Sequence, residues 1–226
     1  MKKLLQHLAA SVVRGVQKYG PHEVEVLGRK YLTAKDVFNP KYWRTSEIMA
    51  KHIWVTADSD VLDMGTGCGI LAVIAGHTAR KVTAVDINSE AVRCARENIR
   101  RHKLEAAVQV FEGDLFAPLP SSSAFDVILF NPPYLEGKPR DDLGLALYDP
   151  DKSLINRFLE GARHYLKPGG YVQIVYSSIA EPERVLAMAD ELGWSCRILA
   201  EKKDLFETYV IWKLTLLKGS QKSSFQ

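Results

Sequence analysis

Val61-Leu62-Asp63-Met64-Gly65-Thr66-Gly67-Cys68-Gly69-Ile70, running straight into Leu71-Ala72-Val73-Ile74-Ala75, decides the fold. An apolar run, a glycine-spaced turn and a second apolar run in immediate succession predict the strand, loop and helix of a βα unit. Such a loop sets backbone N–H groups and a helix amino terminus beside the strand's carboxyl end, where a ligand can come very close to the chain. A dinucleotide fingerprint would want glycine at position 70, which is Ile70 here, and it lacks an acid such as Asp63 ahead of the glycines.

Downstream, Lys81-Val82-Thr83-Ala84-Val85-Asp86 is the next strand. It ends in a carboxylate about 20 residues past the glycine loop, a place from which an acid accepts both ribose hydroxyls of a bound nucleoside. Asp86 and the following Ile87 are therefore candidate ligand contacts; the other use for Asp86 is to help cap the helix that begins near Asn88. That helix buries Ala91, Val92, Ala95 and Ile99, with Arg93, Arg96 and Arg100 on another face. Glu97 lies at pairing distance along the helix from Arg93 and Arg101, so the basic stripe reads as a solvated face rather than an RNA contact. Val108-Gln109-Val110-Phe111 is a third strand, and Gly113-Asp114-Leu115-Phe116 closes it. Asp114 is placed to accept a base amino group, and the Leu115 N–H to meet a ring nitrogen.

The fourth strand, Phe125-Asp126-Val127-Ile128-Leu129-Phe130, runs into Asn131-Pro132-Pro133-Tyr134. Two prolines in succession carry no N–H for a ladder, so the chain must leave the sheet there in a stiff turn. In open α/β sheets that end of a strand is where ligands bind. Asn131 offers a side-chain carbonyl, and Pro132 a backbone carbonyl whose direction is restrained by fixed φ angles. Two acceptors side by side suit a planar NH2 group, whose nitrogen is a poor nucleophile because its lone pair is delocalised. Holding both N–H bonds while the nitrogen pyramidalises favours the transition state over the ground state. Tyr134 can stack on the flat group, and Pro133 completes the substrate-contacting turn.

Upstream, Leu5, Leu8, Val12 and Val16 recur at helical spacing until Gly20-Pro21. Glu23 to Leu27 and Lys30 to Thr33 read as a hairpin turning at Gly28-Arg29. Thr45 to Trp54 reads as a helix capped by its Thr/Ser start. After Tyr134, the glycine-, proline- and charge-rich stretch from Leu135 to Pro150 reads as a substrate loop or lid. Leu154 to Leu166 is a helix closed by Lys167-Pro168-Gly169-Gly170, Tyr171 to Tyr176 a fifth strand, and Pro182 to Leu192 a helix. Trp194 to Ala200 and Thr208 to Leu217 form an antiparallel pair that closes the sheet. The expected organisation is an N-terminal helix and hairpin extension over 1–43, an α/β domain over 44–217 and a polar tail over 218–226.

The 226 residues, 46% hydrophobic and 25% charged, suffice for one well-buried domain. A net charge of +3 permits a nucleic-acid or acidic protein partner without demanding one. Three cysteines with no Cys-x-x-Cys pair indicate neither a disulfide framework nor a zinc site, and a reducing cytoplasm is the expected compartment. Gln6, His7, Arg14 and Lys18 interrupt the apolar start that a secretory leader would need, and no run is long enough to span a membrane.

Asp63-x-Gly65-x-Gly67-x-Gly69 resembles the first motif of class I S-adenosylmethionine-dependent methyltransferases. With carboxylates ending the second and third strands and Asn-Pro-Pro-Tyr after the fourth, the stretch from Val37 to Leu214 resembles the HemK-type glutamine methyltransferases that modify class I release factors. Phe206 to Leu214 is similar to the terminal strand of that family's short eukaryotic and archaeal branch. The resemblance implies a Rossmann-like, seven-stranded, mostly parallel sheet with an antiparallel C-terminal pair and helices on both faces. It implies donor contacts from Asp63, Gly65, Gly67, Asp86, Ile87, Asp114, Leu115 and Asn131, and a hydroxyl from Thr45 or Ser46 near the methionine carboxylate. It implies substrate contacts from Asn131, Pro132, Pro133 and Tyr134. The chain departs from the branch at Phe38 to Arg44, where an acidic run is usual, and in the loop after Tyr134. Both border the acceptor pocket, so three readings stand: N-methylation of a protein glutamine, N-methylation of an exocyclic amine on adenine or guanine in RNA or DNA, and a non-catalytic donor-binding scaffold for a partner. Some relatives of the short branch need a small zinc-binding activator subunit, which is a further partner for this chain.

Overall fold

The computed structural model describes residues 14, 15, 17, 20, 22–41, 44–204 and 207–217, with Arg44 by its backbone alone. The expected N-terminal helix from Leu5 to Lys18 and the polar tail lie almost wholly outside the described residues. A hairpin comes first, β1 (Glu23–Val26) and β2 (Arg29–Leu32), pairing Val26 with Arg29. Its two-residue turn is Leu27-Gly28, both at positive φ (52° and 72°), one position before the expected one. A two-residue turn with both φ positive matches the right-handed twist of its strands.

The main sheet runs β5 (Val108–Glu112), β4 (Lys81–Asp86), β3 (Asp60–Met64), β6 (Phe125–Phe130), β7 (Leu166–Ser177), β9 (Thr208–Leu216), β8 (Trp194–Lys203). The first five are parallel, and β9 and β8 antiparallel, as the sequence predicts. One face packs Leu62, Met64, Ile128 and Phe130 against α5 (Ser153–Tyr165) and α6 (Pro182–Glu191). The other packs Val61, Val82, Val127 and Leu129 against α1 (Arg44–Ala50), α2 (Ile70–Gly76) and α3 (Ser89–Arg101). Because β3 and β6 are covered on both faces, every residue of their apolar runs is spoken for, which is why neither strand alternates. Asp126, the one carboxylate in β6, lies at the amino end, where it accepts from the Asp60 N–H and the Lys167 ammonium, both at 2.8 Å.

Strand order reverses between β3 and β6, since β4 lies on one side of β3 and β7 on the far side of β6. Their carboxyl ends, the glycine loop and the Asn131 turn, therefore open side by side. Three elements differ from expectation. β7 begins at Leu166 rather than Tyr171, because Leu166 already pairs with Phe125 before a register shift absorbs Pro168-Gly169-Gly170. α1 stops at Ala50, and Trp54 lies beyond it, 77% exposed. The Leu135–Pro150 stretch contains a short helix, α4 (Asp142–Leu145), started by Asp141 accepting from the Gly144 N–H at 2.7 Å.

Candidate active site

The carboxyl ends of β3, β4, β5 and β6 surround a cleft of ≈ 360 Å³, walled on its outer side by Val37, Phe38 and the Leu135–Pro150 loop. Of the site residues predicted from sequence, all but Asp63 and Thr45 line it. The glycine loop is shaped by its left-handed residues. Gly65 sits at φ +63°, and a Cβ there would come within 3.3 Å of the Phe130 ring. Gly67, at φ +57°, would point a Cβ into open space, and its N–H instead turns to the Asp86 carboxylate at 2.8 Å. The bare backbone thus forms the floor of the cleft.

Asp86 also accepts from the Asn88 N–H at 3.0 Å. A carboxylate has about four lone-pair sites, so part of its accepting capacity is left for a ligand. Burial pushes the Asp86 carboxyl above its ordinary value, against the N–H groups of Asn88, Gly67 and Ile87. The helix cap that was the other use for Asp86 belongs to Asn88, whose side chain accepts from the Glu90 N–H at 2.9 Å. Ile87 is 51% exposed and gives the cleft an apolar shelf. Behind the loop, fully buried Asn98 donates to the carbonyls of Leu32 (2.9 Å) and Cys68 (2.7 Å) and accepts from the Leu32 N–H (2.7 Å). It thereby ties hairpin, glycine loop and α3 together. Glu97 pairs with Arg100 and Arg101, while Arg93 takes Glu90 instead.

Asp63 is not in the cleft. Fully buried behind the loop, it accepts from the Thr66 hydroxyl at 2.6 Å and the Ala72 N–H at 3.0 Å, joining glycine loop to α2. Its second oxygen is buried without a hydrogen bond. Burial raises its pKa to about 7, outweighing the two donors, with the charge of Asp86 adding to the rise.

Asn131 leaves β6 facing α1. Its side-chain NH2 donates to Ser46 Oγ at 3.0 Å and Thr45 Oγ1 at 3.2 Å. Thr45 and Ser46 do not cap α1; they lie within it, and their hydroxyls hold the Asn131 amide. Ser46 also lines the cleft, whereas Thr45 is fully buried behind it. With its NH2 engaged on α1, the Asn131 amide has its carbonyl oxygen left for the cleft. Pro132, Pro133 and Tyr134 form the adjoining wall. The Tyr134 ring is only 5% exposed and packs on Tyr176, with centroids 5.8 Å apart. Burial, reinforced by the charge of Glu207, pushes its phenol well above the ordinary value, so it is a neutral wall.

Asp114 and Leu115 line the far end of the cleft, Leu115 at φ 48°. Asp114 already holds Arg157 of α5 at 2.5 Å. Arg157 was not evident from sequence, where it is one cation on a helix surface. The cleft walls carry Asp36, Asp86, Asp114, Asp142 and Asp149 against Arg157, so its field is negative. Among the described residues, no group of three or more His, Cys, Asp or Glu is arranged to hold a metal, and no helix is long and apolar enough to cross a membrane. A floor of bare backbone, a carboxylate with accepting capacity to spare, an apolar shelf and the oriented Asn131 amide beside the proline wall can bind a nucleoside-like ligand and hold a planar amine beside it.

Comparison with known proteins agrees with this layout. Residues 30–207 match the family model for the methyltransferase small domain. A protein of Methanocaldococcus jannaschii provisionally named protein N5-glutamine methyltransferase is 32% identical over 201 residues, covering 84% of this chain and 99% of that one. The release factor glutamine methyltransferase of Vibrio cholerae is 35% identical over 127 residues, 51% of this chain and 44% of that one. The chain thus spans nearly all of the first relative and less than half of the second. Among solved structures, that of the E. cuniculi Mtq2-Trm112 complex superposes with a TM-score of 0.60 at 23% identity, covering 80% of this chain and 99% of the other. The family match spans the hairpin's second strand, the glycine loop and the Asn131 turn together, and on that match the chain belongs to the methyltransferase small-domain family.

Proposed function

We propose that the chain transfers a methyl group from S-adenosylmethionine to the side-chain NH2 of a protein glutamine. The observation that carries this reading is the Asn131 amide, turned by Thr45 and Ser46 so that its oxygen is the atom left to the cleft. Asp86 fits the ribose hydroxyls with its unused accepting capacity, Ile87 and Leu115 fit the two faces of an adenine ring, and the Gly65-Thr66-Gly67 backbone fits the methionine portion. Ser46, and not the buried Thr45, is the hydroxyl within reach of that portion. The bound donor supplies an electrophilic methyl.

The chain's own part is to hold the acceptor. Asn131 Oδ1 and the Pro132 carbonyl each take one N–H of the amide; as nitrogen loses conjugation and gains positive charge, both bonds strengthen, which selects the transition state. The surplus proton is lost from the nitrogen to solvent after transfer, as the methylated side chain withdraws, so no buried base is needed. The walls of Tyr134, Pro133 and Leu135 exclude water from the reacting side.

The acidic walls favour a protein acceptor over RNA or DNA, because a polyanion needs cations along its path and, among the described residues, the cleft offers Arg157 alone, already held by Asp114, beside Asp36, Asp86 and Asp142. The full-length likeness to the Methanocaldococcus protein supports glutamine. We take the extension before Arg44 as part of the working enzyme, since Asp36, Val37 and Phe38 line the cleft. A small partner subunit of the kind in the E. cuniculi complex would find an open edge at β5, where Phe111 is 36% exposed. The test is incubation with tritiated S-adenosylmethionine and cell extract. Label removed by protease, spared by RNase and recovered as N5-methylglutamine supports the proposal; label removed by RNase transfers it to a base amine.

A further inference from the structure

Lys152 is fully buried, in the turn between the acceptor loop and α5. A lysine ammonium is almost never taken wholly out of water unless it is paired. Here it donates to Glu136 Oε1 at 2.6 Å and to the backbone carbonyl of Tyr134 at 3.2 Å. The other oxygen of Glu136 accepts from the Asp151 N–H at 3.3 Å. Asp151 and Lys152 both lie in the left-handed region, at φ 56° and 59°, which residues with a side chain enter only at a cost. That backbone turns the lysine inward, beneath the Asn-Pro-Pro-Tyr turn.

The same corner is tied by four further bonds. Leu135 N–H donates to the Leu147 carbonyl and Asp149 N–H to the Leu135 carbonyl, both at 3.0 Å. Buried Asp149 accepts from the Leu154 and Ile155 N–H groups at the head of α5. Turn, loop and helix are thereby one unit, with the ammonium under the residue that ends the turn. A buried ion pair seldom stabilises a fold more than apolar side chains of the same volume would, so its use here is to fix a geometry.

We propose that Lys152 is a positioning residue for methyl transfer: by anchoring the Tyr134 carbonyl it fixes the direction of the Asn131-Pro132-Pro133 backbone and of the acceptor carbonyl within it. This rests on the acceptor reading above. Displacing a reacting group by about 1 Å costs on the order of 100-fold in rate.

The test compares Lys152→Met, Glu136→Gln, the double variant Lys152→Met/Glu136→Gln, and Lys152→Arg. Three readouts are followed: kcat for methylation of protein acceptor in extract, S-adenosylmethionine Kd by calorimetry, and melting temperature. The expected result is a loss of kcat on the order of 100-fold in the double variant. Donor Kd and melting temperature should stay near wild type, and Lys152→Arg should recover part of the rate. A double variant with kcat within about threefold of wild type would overturn the proposal, as would a kcat loss matched by an equal loss of donor affinity. Should Lys152→Met alone not fold because Glu136 is left without its cation, the double variant, which also removes that carboxylate, carries the expectation and the refutation. Asn131→Ala separates the two ideas: if it abolishes turnover while the Lys152 variants do not, only the positioning role falls, and if it leaves turnover intact the acceptor reading falls first.

Discussion

Replacing Asp63 by asparagine should flatten the pH dependence of stability. The carboxyl is fully buried, one oxygen takes Thr66 and Ala72, and the other has no hydrogen bond, so burial lifts its pKa from 3.8 to about 7. Each unit is worth about 1.4 kcal/mol, so keeping Asp63 ionised in the fold costs about 4 kcal/mol above neutrality. The sign follows from proton counts. Between the two pKa values the folded chain holds more protons than the unfolded one, so this group's contribution falls as pH rises from about 4 to about 7 and is level above. The amide introduced by Asp63→Asn would keep an oxygen for Thr66 and Ala72 and cannot ionise. The stability of the variant relative to wild type should therefore grow by about 2.5 kcal/mol between pH 5 and pH 8, equivalent to roughly 5–10 °C in melting temperature for a chain of this size. Thermal and urea unfolding of both proteins without ligand, at half-unit pH steps, measures the difference, from which titrations elsewhere in the chain cancel. A difference independent of pH would refute the reasoning. An anion behind the glycine loop favours a cationic donor, so the same variant should bind S-adenosylmethionine more weakly.

Removing both hydroxyls that orient Asn131, by Thr45→Ala with Ser46→Ala, deletes two hydrogen bonds worth about 1 kcal/mol each, so kcat/KM should fall by roughly 30-fold; steady-state kinetics within threefold of wild type would contradict the assignment. Asp86→Ala should weaken S-adenosylmethionine by roughly 10- to 100-fold in calorimetry, the range for hydrogen bonds to a charged acceptor, and an unaltered Kd would remove Asp86 from the ribose. Arg157→Ala releases Asp114 from an exposed ion pair worth at most about 1 kcal/mol, so donor binding should tighten by up to roughly fivefold; weaker binding would mean that Arg157 itself touches the donor.

The strand order and the two loops that meet at the switch point were legible because Val61–Ala75 and Phe125–Tyr134 carry their own punctuation: glycines that allow positive φ, and prolines that end a ladder. What sequence could not supply was direction. Thr45 and Ser46 look like a helix cap, and only the approach of β6 turns their hydroxyls to Asn131. Asp86 had capping of the helix that begins near Asn88 as its other use, and only the backbone gives that cap to Asn88 itself. Asp63 reads as a ligand contact, yet the tight turn through Gly65 carries it behind the loop. Arg157 and Lys152 were invisible because their partners lie 43 and 16 positions away, beyond any local periodicity. The extra pairing of Leu166 with Phe125 was hidden by Pro168-Gly169-Gly170, which locally resembles a helix stop.

The most direct test of the central claim is the single-turnover rate of Asn131→Ala at saturating S-adenosylmethionine and acceptor protein, alongside its donor Kd. If the Asn131 oxygen grips the acceptor amide, methyl transfer falls by about 10²- to 10³-fold with donor affinity little changed. Transfer at the wild-type rate would contradict the account.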